Sequence, residues 1–393
     1  MRIKLRDLVI LPLLAVVTPA LLLKSTDLAL QKKYTTSASH LGQCLDYAHA
    51  TAGIPGIPNC TTHDKTFETP LVEYEFNQCG YRSGGQCKPF STDVYGIAIL
   101  GSSVPFGQFV PYDQTIVYVL PDYLSSQQQG KYAIENFSRM EEYPQASSKL
   151  VSEAIALKPK LVLWILSPFD VSTSTLSSDY AYKFFKLTEH NNHLGFWGEQ
   201  AKSISSVALI LSTLHDHLKN RILETRAATF LLELYYHGQG KQRYIRQYLR
   251  GQDSEIGYLP THPSEAWKES YQAFNQSIAQ MSVLTRTAGI PFVVVLLPTR
   301  AQEVMLNSGS WPPGYDPYLI DQKVKSIVTS HGGIYLDIFP ECARITGLEK
   351  HYFIQNAHPD GFAHTVFARL IAQQLTSGII PALRTQQPVG KEQ

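Results

Sequence analysis

Charge of either sign is scarce in this chain. Charged residues make up 17% of its 393 residues and the formal net charge is +1, so the composition offers no basic field for nucleic acid. The usual signatures of several enzyme classes are missing as well. There is no GxSxG, which removes the nucleophile elbow of the α/β-hydrolases. Gly101 and Gly107 stand six apart and are followed by Gln108, so the stretch is not a P-loop. No GxGxxG follows the first apolar strand, which argues against a bound dinucleotide. The cysteines show no CxxC spacing, which disfavours zinc, and His215 and His217 are two apart and do not share a helical face. Neither a metal nor another cofactor is expected. No internal repeat is present. What is there is a folded chain, with 44% hydrophobic residues.

Long apolar runs are also rare. One extends from Leu8 to Leu23 behind Arg2, Lys4 and Arg6. Sixteen residues are short for a membrane span, although continuation through Leu28 to Leu30 extends the run. The charge order places the N-terminus in the cytoplasm and the body outside it. A cleaved signal peptide is the rival reading, but no small-x-small cleavage site stands near Leu23, which favours an uncleaved anchor in residues 1–30. Cys44, Cys60, Cys79 and Cys87 cluster in a Gly-, Pro- and Thr-rich leader, residues 31–90. In an exported chain they suggest two disulfides, and the short loops favour Cys44–Cys60 and Cys79–Cys87. Cys342, alone, reads as a buried thiol.

Beyond the leader, short and nearly all-apolar runs alternate with helical patterns. Strands are expected at Gly96–Leu100, Tyr132–Glu135, Leu161–Leu166, Phe292–Leu297 and Ile334–Ile338, each buried on both faces. Helices are expected at Ser147–Leu157 and Ala363–Leu375. The alternation implies an α/β domain around a mostly parallel, five-stranded sheet, formed by residues 91–170 and 287–380. Residues 171–286 are too long for a simple crossover and read as a mainly helical insertion, a lid or a docking surface for a protein partner. Within it, Arg243, Arg246 and Arg250 read as a solvated helix face.

Sites in such sheets form at the carboxyl ends of strands. There stand Gly101-Ser102-Ser103, Ser167-Pro168-Phe169-Asp170, Pro298-Thr299-Arg300 and, further on, Asn356-Ala357-His358. A serine hydroxyl is a weak nucleophile until a base takes its proton, and Ser103 and His358 lie where they could converge. GIAILGSSVPFGQFV resembles the first block of SGNH/GDSL hydrolases, and NAHPDGFAHTVFARLIA resembles the last. FNQCGYR resembles the lead-in of the membrane-anchored bacterial members, and YAIENFS, KPKLVLWILSPFD and GIPFVVVLLP resemble the family's second, third and fourth strands. The resemblance covers residues 74–170 and 285–376, and it implies that the α/β domain is three-layered, α/β/α and flavodoxin-like.

That resemblance implies that Ser103 is the nucleophile and His358 the base. Ser102 takes the place of the family's Asp in Gly-Asp-Ser. Asn356 or Gln355 falls where the family carries its triad acid, and Phe169 replaces an oxyanion-hole Asn. Gly101, Ser138 and Asp170 are the remaining candidates for the oxyanion and substrate side. Asp337 and Asp360 are nearby carboxylates that could replace the missing acid. Arg300 reads more readily as a surface salt bridge than as an anion-binding group. The expectation is an exported, membrane-anchored serine esterase or acyl-transfer enzyme. It would act on O-acyl esters of envelope or extracellular glycans through a Ser–His dyad. The alternative is an impaired relative that binds a glycan or serves an envelope assembly.

Overall fold

A computed structural model describes residues 5–32, 40–172 and 225–383, apart from 51–52, 67, 85–86, 129, 143, 238–239 and 355. Helix α1 (Leu5–Ala29) holds the apolar run, and its side chains before Val17 lie outside the described residues. Among the described residues, no helix is long and apolar enough to cross a membrane. The leader contributes β1 (Thr61–Asp64) and β2 (Val72–Glu75), an antiparallel pair. Five strands then follow: β3 (Tyr95–Gly101), β4 (Tyr132–Asn136), β5 (Leu161–Leu166), β6 (Phe292–Leu296) and β7 (Ile334–Leu336). They form one sheet in the order β4-β3-β5-β6-β7, with every pairing parallel. This is the flavodoxin-like order that the resemblance implies.

The sheet is buried on both faces because successive strand residues point to opposite sides. Ile97, Ile99, Leu163 and Ile165 pack on α3 (Ile116–Gln127) and on the last long helix, Gly361–Gln374. Ala98, Leu100, Val162 and Trp164 pack on α4 (Pro144–Ala156) and on the helix Glu265–Thr287. That second helix lies inside the stretch expected to be an insertion. It is instead part of the crossover from β5 to β6, capped by the Ser264 side chain, which accepts the Trp267 N–H. Its Trp267, Phe274, Ile278 and Met281 are buried against Trp164 and the sheet. Residues 173–224, including His215 and His217, lie outside the described residues. Arg243, Arg246 and Arg250 are exposed, as expected of a solvated face.

The leader is less irregular than its composition suggests. The β1–β2 pair escapes a sequence reading because each strand is four residues long and β1, Thr-Thr-His-Asp, carries no apolar residue. Cys44 and Cys60 are disulfide-bonded. Cys79 and Cys87 are free thiols, in contrast to the second expected disulfide. Their loop is closed by hydrogen bonds: Asn77 Oδ1 accepts the N–H of both Cys79 and Tyr81. Burial, and then a hydrogen bond with Cys79, push the Cys87 thiol up to about 12. Cys342 is a buried thiol.

The leader also has a small core of its own. Leu41, Cys44, Ile54, Val72, Tyr74 and Phe76 pack with Phe106 and Met140, which belong to the α/β domain. Arg82 is buried between the two and donates to the carbonyls of Phe106, Gly107, Val110 and Glu73. The leader is thereby fastened to the segment that follows β3.

Candidate active site

Strand β3 ends at Gly101, and the short helix α2 (Ser103–Phe106) begins two residues later. Gly101 has φ +144°, and a Cβ there would lie 2.3 Å from the Ile165 carbonyl oxygen and 2.4 Å from Pro105 Cγ. Only glycine allows the chain to turn at this point. Ser103, the first residue of α2, reaches the loop before the helix Gly361–Gln374. Its Oγ lies 2.8 Å from His358 Nε2.

The other ring nitrogen of His358 faces a main-chain acceptor, with Nδ1 3.1 Å from the carbonyl oxygen of Asn356. A carbonyl can only accept, so Nδ1 carries the proton and Nε2 presents its lone pair to the serine. Asn356 therefore acts differently from the expectation. Its side-chain Oδ1 accepts the His358 backbone N–H at 2.9 Å and does not touch the ring. The reason is local: Ala357 is left-handed (φ 58°), and this folds the Asn356 carbonyl back toward the imidazole. Phe109 lies edge-on to the ring at 5.4 Å. Burial holds the imidazole well below its usual range, at about 4, with the Asn356 carbonyl opposing the shift. The histidine is thus neutral near pH 7, the form a general base requires.

Asp337 and Asp360 do not take the place of the missing acid. Asp337 pairs with Lys325 at 2.9 Å. Asp360 caps the helix Gly361–Gln374 by accepting the Ala363 N–H, and it meets His351 at 3.1 Å. Gln355 lies outside the described residues. Arg300 is buried, with its guanidinium 4.7 Å from the Tyr244 ring centroid, so it is not a surface salt bridge.

A cavity of about 280 Å³ opens beside the pair, lined by Ser103, His358, Gln108, Phe169, Glu142 and Asp170 among others. Two expected oxyanion-side residues do not serve it as donors. The Gly101 N–H is already given to Glu142 Oε2 at 3.2 Å. Ser138 is buried outside the cavity lining. Its neighbour Asn136 donates to the carbonyls of Arg82 and Pro105, so this strand end braces α2 and does not face the cavity. Asp170 does face the cavity, but as an acceptor, taking the N–H and Oγ–H of Ser167 and a bond from Ser102. Burial raises its carboxyl. Burial also pushes Glu142 up to about 8, and the nearby Asp170 adds to the shift. Glu142 thus holds its proton at neutral pH, which keeps its own negative charge away from the serine.

Two donors remain. The Ser103 N–H, at the start of α2, takes no partner among the described residues. The Gln108 side chain lines the cavity without a hydrogen bond among the described residues. Sequence reasoning passed over Gln108. The one signal available was its position, directly after the glycine that ends α2.

Fold and site together define an α/β/α protein with a serine–histidine pair at the carboxyl edge of its sheet. No protein-family model and no curated protein matches the chain. Solved structures similar to it include TesA, at 12% identity over 72% of this chain and 98% of that one, with a TM-score of 0.37. Another is the lipase/acylhydrolase from Enterococcus faecalis, at 8% identity over 75% and 99%, with a TM-score of 0.38. A third is a mutant of Axe2, an acetyl-xylooligosaccharide esterase from Geobacillus Stearmophilus, at 11% identity over 73% and 96%, with a TM-score of 0.38.

Proposed function

We propose that the protein is a serine ester hydrolase or acyl-transfer enzyme. The observation that carries this reading is the 2.8 Å contact between Ser103 Oγ and a histidine whose Nδ1 faces a carbonyl. His358 Nε2 takes the Ser103 proton as Oγ attacks the ester carbonyl carbon. The oxyanion turns toward the Ser103 N–H and the Gln108 amide. Collapse breaks the bond to the alcohol, which leaves with the proton from Nε2. Water, or a second hydroxyl, then repeats the sequence on the acylated serine and releases the acid or a new ester.

The cavity, about 280 Å³, lies at the small end for ligand sites and favours a short acyl group. O-acyl groups on an envelope or extracellular glycan fit that size. The location follows from the N-terminal run, which would hold the domain on the outer side of a membrane. Val17, Leu21, Leu22 and Leu28 are exposed on α1 and support a lipid contact.

A binding role without turnover is the second reading. One observation favours it: Asp170 stands as an acceptor on the oxyanion side, and the Gly101 N–H is already taken. Loss of an oxyanion donor costs roughly 10²–10³ in rate.

A fluorophosphonate probe separates the two. Wild-type protein is expected to label and to release p-nitrophenol from p-nitrophenyl acetate, and Ser103→Ala is expected to do neither. An absence of both Ser103-dependent labelling and ester cleavage would remove the enzyme reading.

A further inference from the structure

We propose that Glu68 is a positioning residue for the Ser103–His358 pair. It acts through the main chain in place of the carboxylate that the last block lacks. The inference rests on the serine-hydrolase reading above.

Glu68 lies between β1 and β2 in the leader, 288 residues before Asn356 in sequence. Its carboxylate reaches across to the histidine turn with both oxygens. Oε2 accepts the Ile354 N–H at 2.6 Å, and Oε1 accepts the Asn356 N–H at 3.1 Å. Three further hydrogen bonds among the described residues close the turn from within. Phe353 N–H donates to the His358 carbonyl at 2.8 Å, Ala357 N–H to the Phe353 carbonyl at 3.0 Å, and His358 N–H to Asn356 Oδ1 at 2.9 Å.

Among the described residues, Glu68 therefore holds two N–H groups that the turn does not satisfy itself. One of them belongs to Asn356, whose carbonyl orients the imidazole. Hydrogen bonds to a carboxylate are shorter and stronger than neutral ones, and a pair of them fixes direction as well as distance. The arm that presents Glu68 is itself braced, by the Cys44–Cys60 disulfide and by Arg82 beneath the segment after α2. Phe109 and Phe353 pack edge to face beside the turn, with Phe109 against the ring. The leader thus sets one side of the dyad, which gives its attachment to the domain a catalytic consequence.

The test uses the full chain as wild type, Glu68→Ala, Glu68→Gln, His358→Ala and Ser103→Ala. Misplacing a catalytic group by about 1 Å costs roughly 10²-fold in rate. Glu68→Ala is accordingly expected to slow fluorophosphonate labelling and to lower kcat on p-nitrophenyl acetate by about that factor, with KM unchanged. Glu68→Gln, which keeps one acceptor oxygen, is expected to recover part of the loss. In proton NMR, the downfield signal of the His358 ring N–H, missing in His358→Ala, is expected to shift or broaden in Glu68→Ala.

Wild-type labelling rates and an unmoved ring signal in Glu68→Ala would overturn the proposal. If Glu68→Ala does not fold, Glu68→Gln decides, and a wild-type rate there overturns it equally. If wild-type protein shows no Ser103-dependent labelling, the hydrolase reading fails and this inference falls with it. That result is distinct from normal labelling that ignores Glu68.

Discussion

Asn356 shows how a residue can hold a position in a site while its side chain does something else. Its carbonyl faces the imidazole, and any amino acid supplies a carbonyl. Its amide oxygen only closes the turn on the His358 N–H. Asn356→Ala is therefore expected to keep kcat within about tenfold of wild type, with a stability loss of around 1 kcal/mol for the missing hydrogen bond. Steady-state kinetics and thermal melting check both parts. A much larger loss of kcat would mean that the amide itself orients the ring. Ser103 and His358 were legible in the sequence because each sits at a strand or helix boundary within a recognisable block. The partner of Nδ1 was not, since a backbone carbonyl leaves no mark on residue identity. Gly101 was placed at the correct turn, but its role is steric, as its N–H belongs to Glu142.

At the level of elements, β3, β5 and β6 were readable because burial on both faces demands continuous apolar runs, whereas β4, at the sheet edge, is only partly buried and ends in Glu135 and Asn136. The helix Glu265–Thr287 shows the opposite case. Its pattern is helical, but nothing in it says whether it covers the sheet or stands apart. Packing decides this: Trp267 is buried, and its Nε1 donates to the Asp253 carbonyl at 2.9 Å. Trp267→Ala is expected to cost about 3–5 kcal/mol, the range for emptying a large aromatic site in a core. Urea unfolding measures this, and a loss below about 1 kcal/mol would place the helix outside the cooperative core. The β1–β2 pair stayed hidden for a related reason. Four-residue strands carry too little periodicity to stand out, and their stability comes from the disulfide, Tyr74 and Phe76, and the Phe106 ring they pack on.

At the scale of the molecule, buried ionisable groups link stability to pH. Burial raises Glu142 from 4.5 to about 8, Glu303 from 4.5 to about 8 and Asp321 from 3.8 to about 7. In those windows the native state holds protons that the unfolded chain has released, so stability falls as pH rises through them. Burial lowers His358 from 6.5 to about 4 and His364 from 6.5 to about 3. There the unfolded chain holds the extra protons, so stability falls as pH drops below 6.5. The two histidines are neutral in both states above 6.5, leaving the carboxyls to set the slope, joined near pH 9 by the raised thiols of Cys87 and Cys342, which act in the same direction. Urea unfolding is expected to show stability declining from pH 6.5 to about 9, and a flat or rising profile across that range would contradict the buried carboxyls.

The sequence by itself determined the layers, the positions of the five strands to within two residues at each end, and the two residues that meet at the sheet edge. These depend on local burial patterns and on motifs a few residues long. Tertiary structure decided what surrounds that pair. It brought Gln108 and Asp170 to one cavity, turned the Gly101 N–H to Glu142, and carried Glu68 from the leader to the histidine turn. Those contacts join residues up to 288 positions apart. They follow from how the leader, sheet and last loop pack together, which no short stretch of sequence encodes.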